Sequence, residues 1–388
     1  MLRKITILLC IAIWFTGSPS YADSWLSPKA ETYYSPSKAF RLRITPRALS
    51  SALGYFSDKV NGREPAGAPK DSKQITARAT VDHREATGAW VKVWEGALTN
   101  EVAPVDALIS DGGQVATFDN WHSMGYGSNV IAIYDRQGKV VRALALSELL
   151  PSIFIEALSH SVSSIHWRGQ ARLADDGNLV IPIVVPRADQ QDGTTTYVDA
   201  VIRLADGYVL SGSSPDWQAA LAEAQTKVAI DRSLAEQARQ AFASPLLGPK
   251  ENTERAWHDY LREAFFRTAP DWEDNVPATT VLRDPSASDY AASERWLRDD
   301  LLATDYPKNV IAIASVAPTR VLIERMRSIL ARSKPGRLKG VRVYVAATSA
   351  LLPVLKGVFD RTGAEVACFD PEQPIPQRPE RLRLLSPR

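Results

Sequence analysis

Cysteine is almost missing from this 388-residue chain, which holds Cys10 and Cys368 and no others. Cys10 falls in an N-terminal stretch that reads as a cleaved leader. That leaves Cys368 alone, and one cysteine excludes an internal disulfide even in an oxidising compartment. The fold must rest on its packed cores. An excess of one charge is missing too. Lys and Arg number 46 against 44 Asp and Glu. The leader removes Arg3 and Lys4, so the remaining balance is even, which excludes the basic footprint of a general nucleic-acid binder. After the leader no apolar run approaches the ~20 residues a membrane-spanning helix needs. Neither G-x-G-x-x-G nor G-x-x-x-x-G-K-[ST] occurs, and there is no G-x-S-x-G elbow. The expectation is therefore no nucleotide cofactor and no α/β-hydrolase nucleophile.

What is present begins with an address. Residues 1–22 combine Arg3 and Lys4, the apolar run "ITILLCIAIWF" and small residues at Ser20 and Ala22. This is the pattern of a secretory signal peptide cleaved before Asp23. Cys10 lies inside the apolar run, which argues against lipidation. The expected location is periplasmic or secreted.

Residues 23–212 read as a β-rich repeat domain. "PVDALISDGGQVATFD" is an apolar run, a tight Asp-Gly-Gly turn and a second apolar run; "NVIAIYDRQGKVVRALAL" adds two more runs around "DRQG". "GQARLADDGNLVIPIVVP" with "TYVDAVIRLADGYVLSG" repeats the pattern. A looser copy, "YYSPSKAFRLRITP" and "WVKVWEGAL", comes first, interrupted by the polar insertion Ser57–Gln74, expected to be a mobile surface loop. These units resemble the four-stranded blade of a β-propeller, in which such x-D-G-x turns are characteristic. About three are countable, short of the usual four to eight blades. The expected domain is thus all-β, either propeller-like or a sandwich of stacked sheets.

From Ser213 the period changes. Ser214 and Pro215 mark a helix start, cap and first position, and Ala-rich helical sequence runs to about Phe242. "PKENTERAWHDYLREAFFR" and "SASDYAASERWLRDDLLA" read as further amphipathic helices. Then "NVIAIASV", "GVRVYVAA" and "AEVACFD" alternate with helical segments, which implies parallel strands joined by right-handed crossovers. "TTVLRD" is a possible added strand. Residues 213–370 thus form a helical and α/β domain with a short parallel sheet and extra helices. Residues 371–388 read as an extended or disordered Pro/Arg-rich tail. Overall the fold class is two-domain α+β.

Chemistry-bearing residues concentrate in "TFDNWHSMGYG". Asp119, Asn120, Trp121, His122 and Tyr126 form the candidate ligand-binding set. Asp119 and His122 are an acid–imidazole pair, but strand alternation would turn them to opposite faces, and a metal site needs three or four ligands. "HSVSSIHW" (His160–Trp167) reads as a polar connector. His258 reads as a surface residue of its helix, and "DWEDN" (Asp271–Asn275) as a solvated acidic turn. At the strand ends, Ser315, Thr319, Arg320, Thr348 and Ser349 are candidates for anion contact, with plain helix capping preferred. No complete catalytic set and no metal set is present. The sequence therefore points to an extracytoplasmic binding or interaction protein that holds a protein or small polar ligand at the FDNWH loop. A hydrolase-like enzyme with its site at that loop, between the domains, is the alternative.

Overall fold

A computed structural model describes residues 26–70, 72–188, 194–210, 212, 214–302 and 309–383. The leader and its cleavage point lie outside them. The chain divides into two compact units, residues 1–235 and 236–388.

The first unit contains three four-stranded antiparallel sheets, each a meander in chain order. The first comprises β1 (Glu31–Tyr34), β2 (Phe40–Thr45), β3 (Arg78–Arg84) and β4 (Trp90–Ala97). The second comprises β5 (Asp106–Ile109), β6 (Val115–Phe118), β7 (Ile131–Tyr134) and β8 (Val140–Leu144). The third comprises β9 (Arg172–Leu173), β10 (Leu179–Val184), β11 (Tyr197–Arg203) and β12 (Tyr208–Val209). The Asp-Gly turns form as their chemistry dictates. In the β7–β8 turn, Asp135 Oδ1 accepts from the Gln137 and Lys139 N–H groups, both at 2.9 Å. Gly138 there adopts φ 80°. It also lies against the Trp94 ring so closely that a Cβ would fall 2.6 Å from it, so glycine is required twice over.

Packing explains the run of apolar residues in the middle sheet. β2 alternates, with Phe40, Leu42 and Ile44 buried and Arg43 and Thr45 exposed, whereas β6 and β7 are buried at every position. Val115, Ala132 and Tyr134 meet Phe40, Leu42, Ile44 and Val81 of the first sheet. Ala116, Phe118, Ile131 and Ile133 face the other way, toward Leu179, Ile181, Ile183 and Ile202 of the third. Each such aliphatic side chain contributes roughly 1.5–3 kcal/mol by leaving water.

Two expectations change here. The insertion is not a free loop. Its first four residues complete helix α1 (Ala52–Val60), and Ala66 beyond is fully buried with its carbonyl accepting from Arg47 Nη2 at 2.7 Å. Tyr55, Ala66, Val102, Ala103 and Trp121 form a satellite core under it. The domain boundary also moves. After the short helices α2 (Leu146–Leu149) and α3 (Ser152–Ala157), the long helix α4 (Pro215–Ala243) begins as its sequence indicates, with Ser214 Oγ accepting from the Trp217 N–H. Its Trp217, Ala220, Ala224 and Val228 join the core of the β sheets, and the Trp217 indole donates to the Asp199 carbonyl at 2.9 Å. The first half of α4 therefore belongs with the β unit, and the division falls inside the helix rather than before it.

The second unit is an α/β layer structure. It runs α5 (Glu254–Thr268), β13 (Ala278–Leu282), α6 (Tyr290–Leu302), β14 (Val310–Ser315), α7 (Thr319–Leu330), β15 (Arg342–Ala346), α8 (Leu352–Phe359), β16 (Glu365–Phe369) and α9 (Pro379–Leu382). The four strands are parallel and lie in the order β13-β14-β15-β16. Ile311, Ile313, Val343 and Val345 face Leu297, Leu322, Met326, Leu355 and Phe359 of α6, α7 and α8. Val310, Ala312 and Ala314 face Tyr260, Leu261, Ala264 and Phe265 of α5 on the other side. Burial on both faces is why these strands read as unbroken apolar runs.

The expected tail is docked over its described part. Leu246 and Ile375 exchange two main-chain bonds of 2.8 Å. The Glu263 carboxylate on α5 accepts from Arg267 Nε (2.8 Å), Gln377 Nε2 (3.1 Å) and both terminal nitrogens of Arg381 (2.9 and 3.0 Å). Composition alone suggested a solvated segment. Three donors from the segment meet this one carboxylate, and Arg378 Nε donates to the Phe266 carbonyl at 3.0 Å, so the segment is held to the helix instead.

Candidate functional site

The FDNWH loop connects β6 to β7. Asp119 adopts φ 56° and is fully buried. Its Oδ1 accepts from the Gly125 N–H and the Trp167 indole N–H, both at 2.8 Å, and its Oδ2 from Arg168 Nε at 2.9 Å. Trp167 is fully buried and Arg168 nearly so. Asp119 thereby ties the second sheet to the segment entering the third. Gly125 completes the tie: it has φ 74°, and a Cβ there would stand 2.8 Å from that of Ile165.

The neighbouring polar groups are engaged in the same way. Asn100 Nδ2 donates to the Asp119 carbonyl (2.8 Å) and to Asn120 Oδ1 (3.0 Å), and Asn120 Nδ2 donates to Asn129 Oδ1 (2.9 Å). Trp121 is buried in the satellite core, its indole donating to the Leu26 carbonyl at 2.9 Å and its ring meeting Tyr55 edge-on with centroids 5.2 Å apart. His122, at φ 61°, lies on the Phe56 ring at 4.2 Å. The Tyr126 hydroxyl donates to the Ser161 carbonyl at 2.8 Å. Met124 exchanges main-chain bonds with Ser163 and Ile165, so the "HSVSSIHW" connector zips onto the loop while His160 and His166 remain exposed. The five sequence candidates are thus brought together, but as a joint among three sheets. Asp119 accepts three hydrogen bonds and Trp121 is buried. Such burial is not revealed by a local motif. Among the described residues, no group of three or more His, Cys, Asp and Glu side chains is placed to hold a metal ion.

The strand ends of the α/β unit also resolve differently from expectation. Ser349 at the helix start after β15 does not cap that helix. Its N–H and hydroxyl both donate to Asp370 Oδ2, at 2.7 and 2.8 Å. An anion site at this helix start is thus filled by the protein's own carboxylate. Thr319 is the first residue of α7, with Pro318 preceding it and no side-chain cap, and Ser315 Oγ donates to the Leu282 carbonyl. The described strands run in simple order, with no reversal of the kind that opens a ligand crevice. Asp271 of "DWEDN" pairs with Arg342 rather than standing free in solvent.

The hydrogen bonds from Ser349 hold the Asp370 carboxyl below its ordinary value. A depressed native pKa means that the unfolded state binds protons first as pH falls. The stabilisation from Asp370 is therefore complete above the ordinary carboxylate range near 4 and is lost as pH drops through its lower native value. Asp370→Asn should flatten the acid limb of a Tm-against-pH curve below about pH 4. An unchanged acid limb would remove Asp370 from that role.

The cleft with the richest chemistry lies along β13. It encloses about 430 Å³ and is lined by Glu254 and His258 of α5, Thr279, Thr280 and Val281 of β13, and Trp296, Asp299 and Asp300 of α6. Strand alternation sends Thr279 to the α5 side, where its Oγ1 lies 2.8 Å from His258 Nδ1. It sends Thr280 to the α6 side, where its hydroxyl donates to Asp300. Glu254 and His258 are four residues apart and share a helix face, yet Glu254 Oε1 is 3.8 Å from His258 Nε2. The other Glu254 oxygen is taken by Arg283, whose Nε and Nη2 both approach to 2.7 Å. Arg283 also covers the Trp296 ring at 5.1 Å, and Trp296 as a residue is 45% exposed. Burial pushes the His258 imidazole below its ordinary value, against the pull of Glu254. It is therefore mainly neutral at pH 7.

No family model, curated protein or solved structure matches this chain. The site must be read from its own geometry.

Sequence reasoning missed this cleft because it placed His258 on the polar side of its helix. The local signal was the Glu254/His258 spacing beside a Thr-Thr strand. Its meaning depended on β13 and α6 arriving at the same place.

Proposed function

We propose that this chain is a periplasmic or secreted binding protein that takes a cationic, polar ligand in the cleft along β13. The signal-like first 22 residues carry the address. The three β meanders, read as propeller-like blades, serve as the rigid body that the FDNWH loop locks together. One observation carries the ligand class. Three carboxylates, Glu254, Asp299 and Asp300, line the cleft with the half-exposed Trp296, and the Arg283 guanidinium beside it is paired with Glu254. Carboxylates beside an aromatic ring favour ammonium and guanidinium groups through charge and cation–π attraction, as Arg283 over Trp296 already does within the chain.

The hydrolytic alternative moves to the same cleft, because Thr279 Oγ1 and His258 Nδ1 are within hydrogen-bonding distance. It is the weaker reading. A working triad needs an acid that orients the base, and Glu254 is turned to Arg283.

Titration calorimetry with spermidine as the probe tests the proposal. Binding to the wild-type protein should weaken by about fivefold to tenfold in Trp296→Ala and also fall in Asp299→Asn, while His122→Ala leaves it unchanged. Loss of binding in His122→Ala with Trp296→Ala unaffected would return the site to the FDNWH loop. Absence of any spermidine binding would remove the cleft from consideration.

A further inference from the structure

We propose that the outer face of the first β meander is a second binding site, for a linear polysaccharide that carries carboxylates. It is independent of the cleft along β13. Strand alternation fixes what this face presents. Phe40, Leu42, Ile44, Ala79, Val81 and Trp94 turn inward to the core. Their neighbours turn outward. Tyr34 stands opposite Arg41, Arg41 opposite Asp82 and Asp82 opposite Lys92. One row along, Thr32 stands opposite Arg43, Arg43 opposite Thr80 and Thr80 opposite Glu95. Arg78 and Arg84 are the first and last residues of β3. The face therefore sets Arg41, Arg43, Arg78, Arg84 and Lys92 against only Asp82 and Glu95.

Each of the two carboxylates is shared. Asp82 Oδ2 meets Arg41 Nη2 at 2.9 Å and Arg43 Nη2 at 3.2 Å. Glu95 meets Arg78 at 3.3 Å and Lys92 at 3.1 Å. Among the described residues no carboxylate pairs with Arg84, Glu85 in the following turn included. The Arg84 guanidinium lies over the Trp90 ring at 5.9 Å, which orients the group without using its N–H donors. Beyond Arg78 the face opens into a cavity of about 290 Å³ lined by Lys73, Gln74, Ile75, Thr76, Arg78 and Ala97. Lys73 is exposed there, again with no carboxylate partner among the described residues. Arg78 to Arg84 spans ~20 Å of extended strand. Cations spread over that length match a chain of repeated negative charges rather than one small anion. Carboxylates are the anions this face already pairs with. Exposed Thr32 and Thr45 supply hydroxyls among the cations, and Tyr34, 52% exposed, offers its ring to the apolar face of a sugar. A lipid surface fits less well, because Arg41 covers the Trp90 ring at 4.5 Å and keeps it from inserting. A single-stranded nucleic acid stacks on successive rings, and on this face only Tyr34 is half-exposed.

The experiment uses the full chain, hexagalacturonate as the probe and calorimetry at low salt. Binding should weaken as salt is raised. Arg84→Ala should lose about tenfold and Tyr34→Ala a smaller factor. Both side chains are exposed, so neither change opens the core. Arg332→Ala removes the same charge from an exposed position in the second unit and should leave the affinity unchanged. Equal loss in Arg84→Ala and Arg332→Ala means attraction to the overall charge and overturns the site. Uncharged maltohexaose should not bind, and binding equal to that of hexagalacturonate overturns carboxylate recognition. Tighter binding to phosphatidylglycerol vesicles or to oligothymidylate assigns the face to a membrane or a nucleic acid and overturns the polysaccharide. No binding of hexagalacturonate overturns the inference outright. The two sites fail separately: Trp296→Ala should weaken spermidine binding and leave hexagalacturonate binding unchanged, and Arg84→Ala the reverse.

Discussion

Asp119→Ala is expected to cost about 3–5 kcal/mol of stability, the largest effect of any single substitution in the loop. The carboxylate is fully buried and accepts from Gly125, Trp167 and Arg168. Its removal leaves the Arg168 guanidinium, whose side chain is 8% exposed, without its nearest buried counter-charge. Asp106 Oδ2, at 3.6 Å from Arg168 Nη1, compensates only in part. The buried indole N–H of Trp167 loses its acceptor as well, at about 1–3 kcal/mol. A further contribution comes from the backbone, since Asp119 sits at φ 56°, a conformation Asp and Asn tolerate better than Ala. Asp119→Asn should therefore be milder. Urea unfolding of the two variants, followed by far-UV circular dichroism, checks the order. If Asp119→Ala unfolds within about 1 kcal/mol of wild type, the joint among the three sheets is not held by this carboxylate, and a role in ligand binding returns for it.

Glu263→Ala is expected to have the second largest effect, on the order of 3 kcal/mol, and to act on the α/β unit. Glu263 answers Arg267 and Arg381, whose side chains are 2% and 9% exposed, and also accepts from Gln377. Without it two largely buried guanidiniums face each other. The Arg267 bonds to the Ser244 and Phe242 carbonyls keep that residue in place. Arg381 keeps only Gln377 and the rings of Phe242, Phe266 and Trp272. Arg378 keeps its bonds to the Phe266 and Ala269 carbonyls, so the C-terminal segment should loosen around Arg381 rather than detach. Hydrogen exchange should rise at residues 375–382 more than in β14 and β15, and Glu263→Gln should recover part of the protection by keeping an acceptor. A uniform rise across the sheet would mean that Glu263 supports the whole unit rather than docking the segment.

Much of the architecture was legible in local pattern. The Asp-Gly turns at residues 135–138 and 206–207 announced hairpins because few residues other than glycine take φ near 80° at low cost. Ser214 and Pro215 announced α4, and the unbroken runs of β14 and β15 announced strands covered on both faces. These signals are short-range, set by dihedral preference and by periods of two or 3.6 residues. Two readings in which polarity stood in for exposure failed. The insertion Ser57–Gln74 is polar in composition, yet its Ala66 is buried in one cluster with Tyr55 and Trp121. The Pro- and Arg-rich C-terminal segment is bound through Arg381, whose partner Glu263 lies 118 residues earlier.

The FDNWH stretch marks the division most clearly. The sequence by itself determined that a specialised connection stands between β6 and β7, with two glycines able to turn it. Only the tertiary structure decided that Asp119 is spent on Arg168, 49 residues away, while Glu254, His258, Thr279 and Asp300 converge on an open cleft. The physical reason is that a side chain's chemistry is set by what desolvates it and what bonds to it. In this chain those partners are separated by distances along the sequence that no local period encodes.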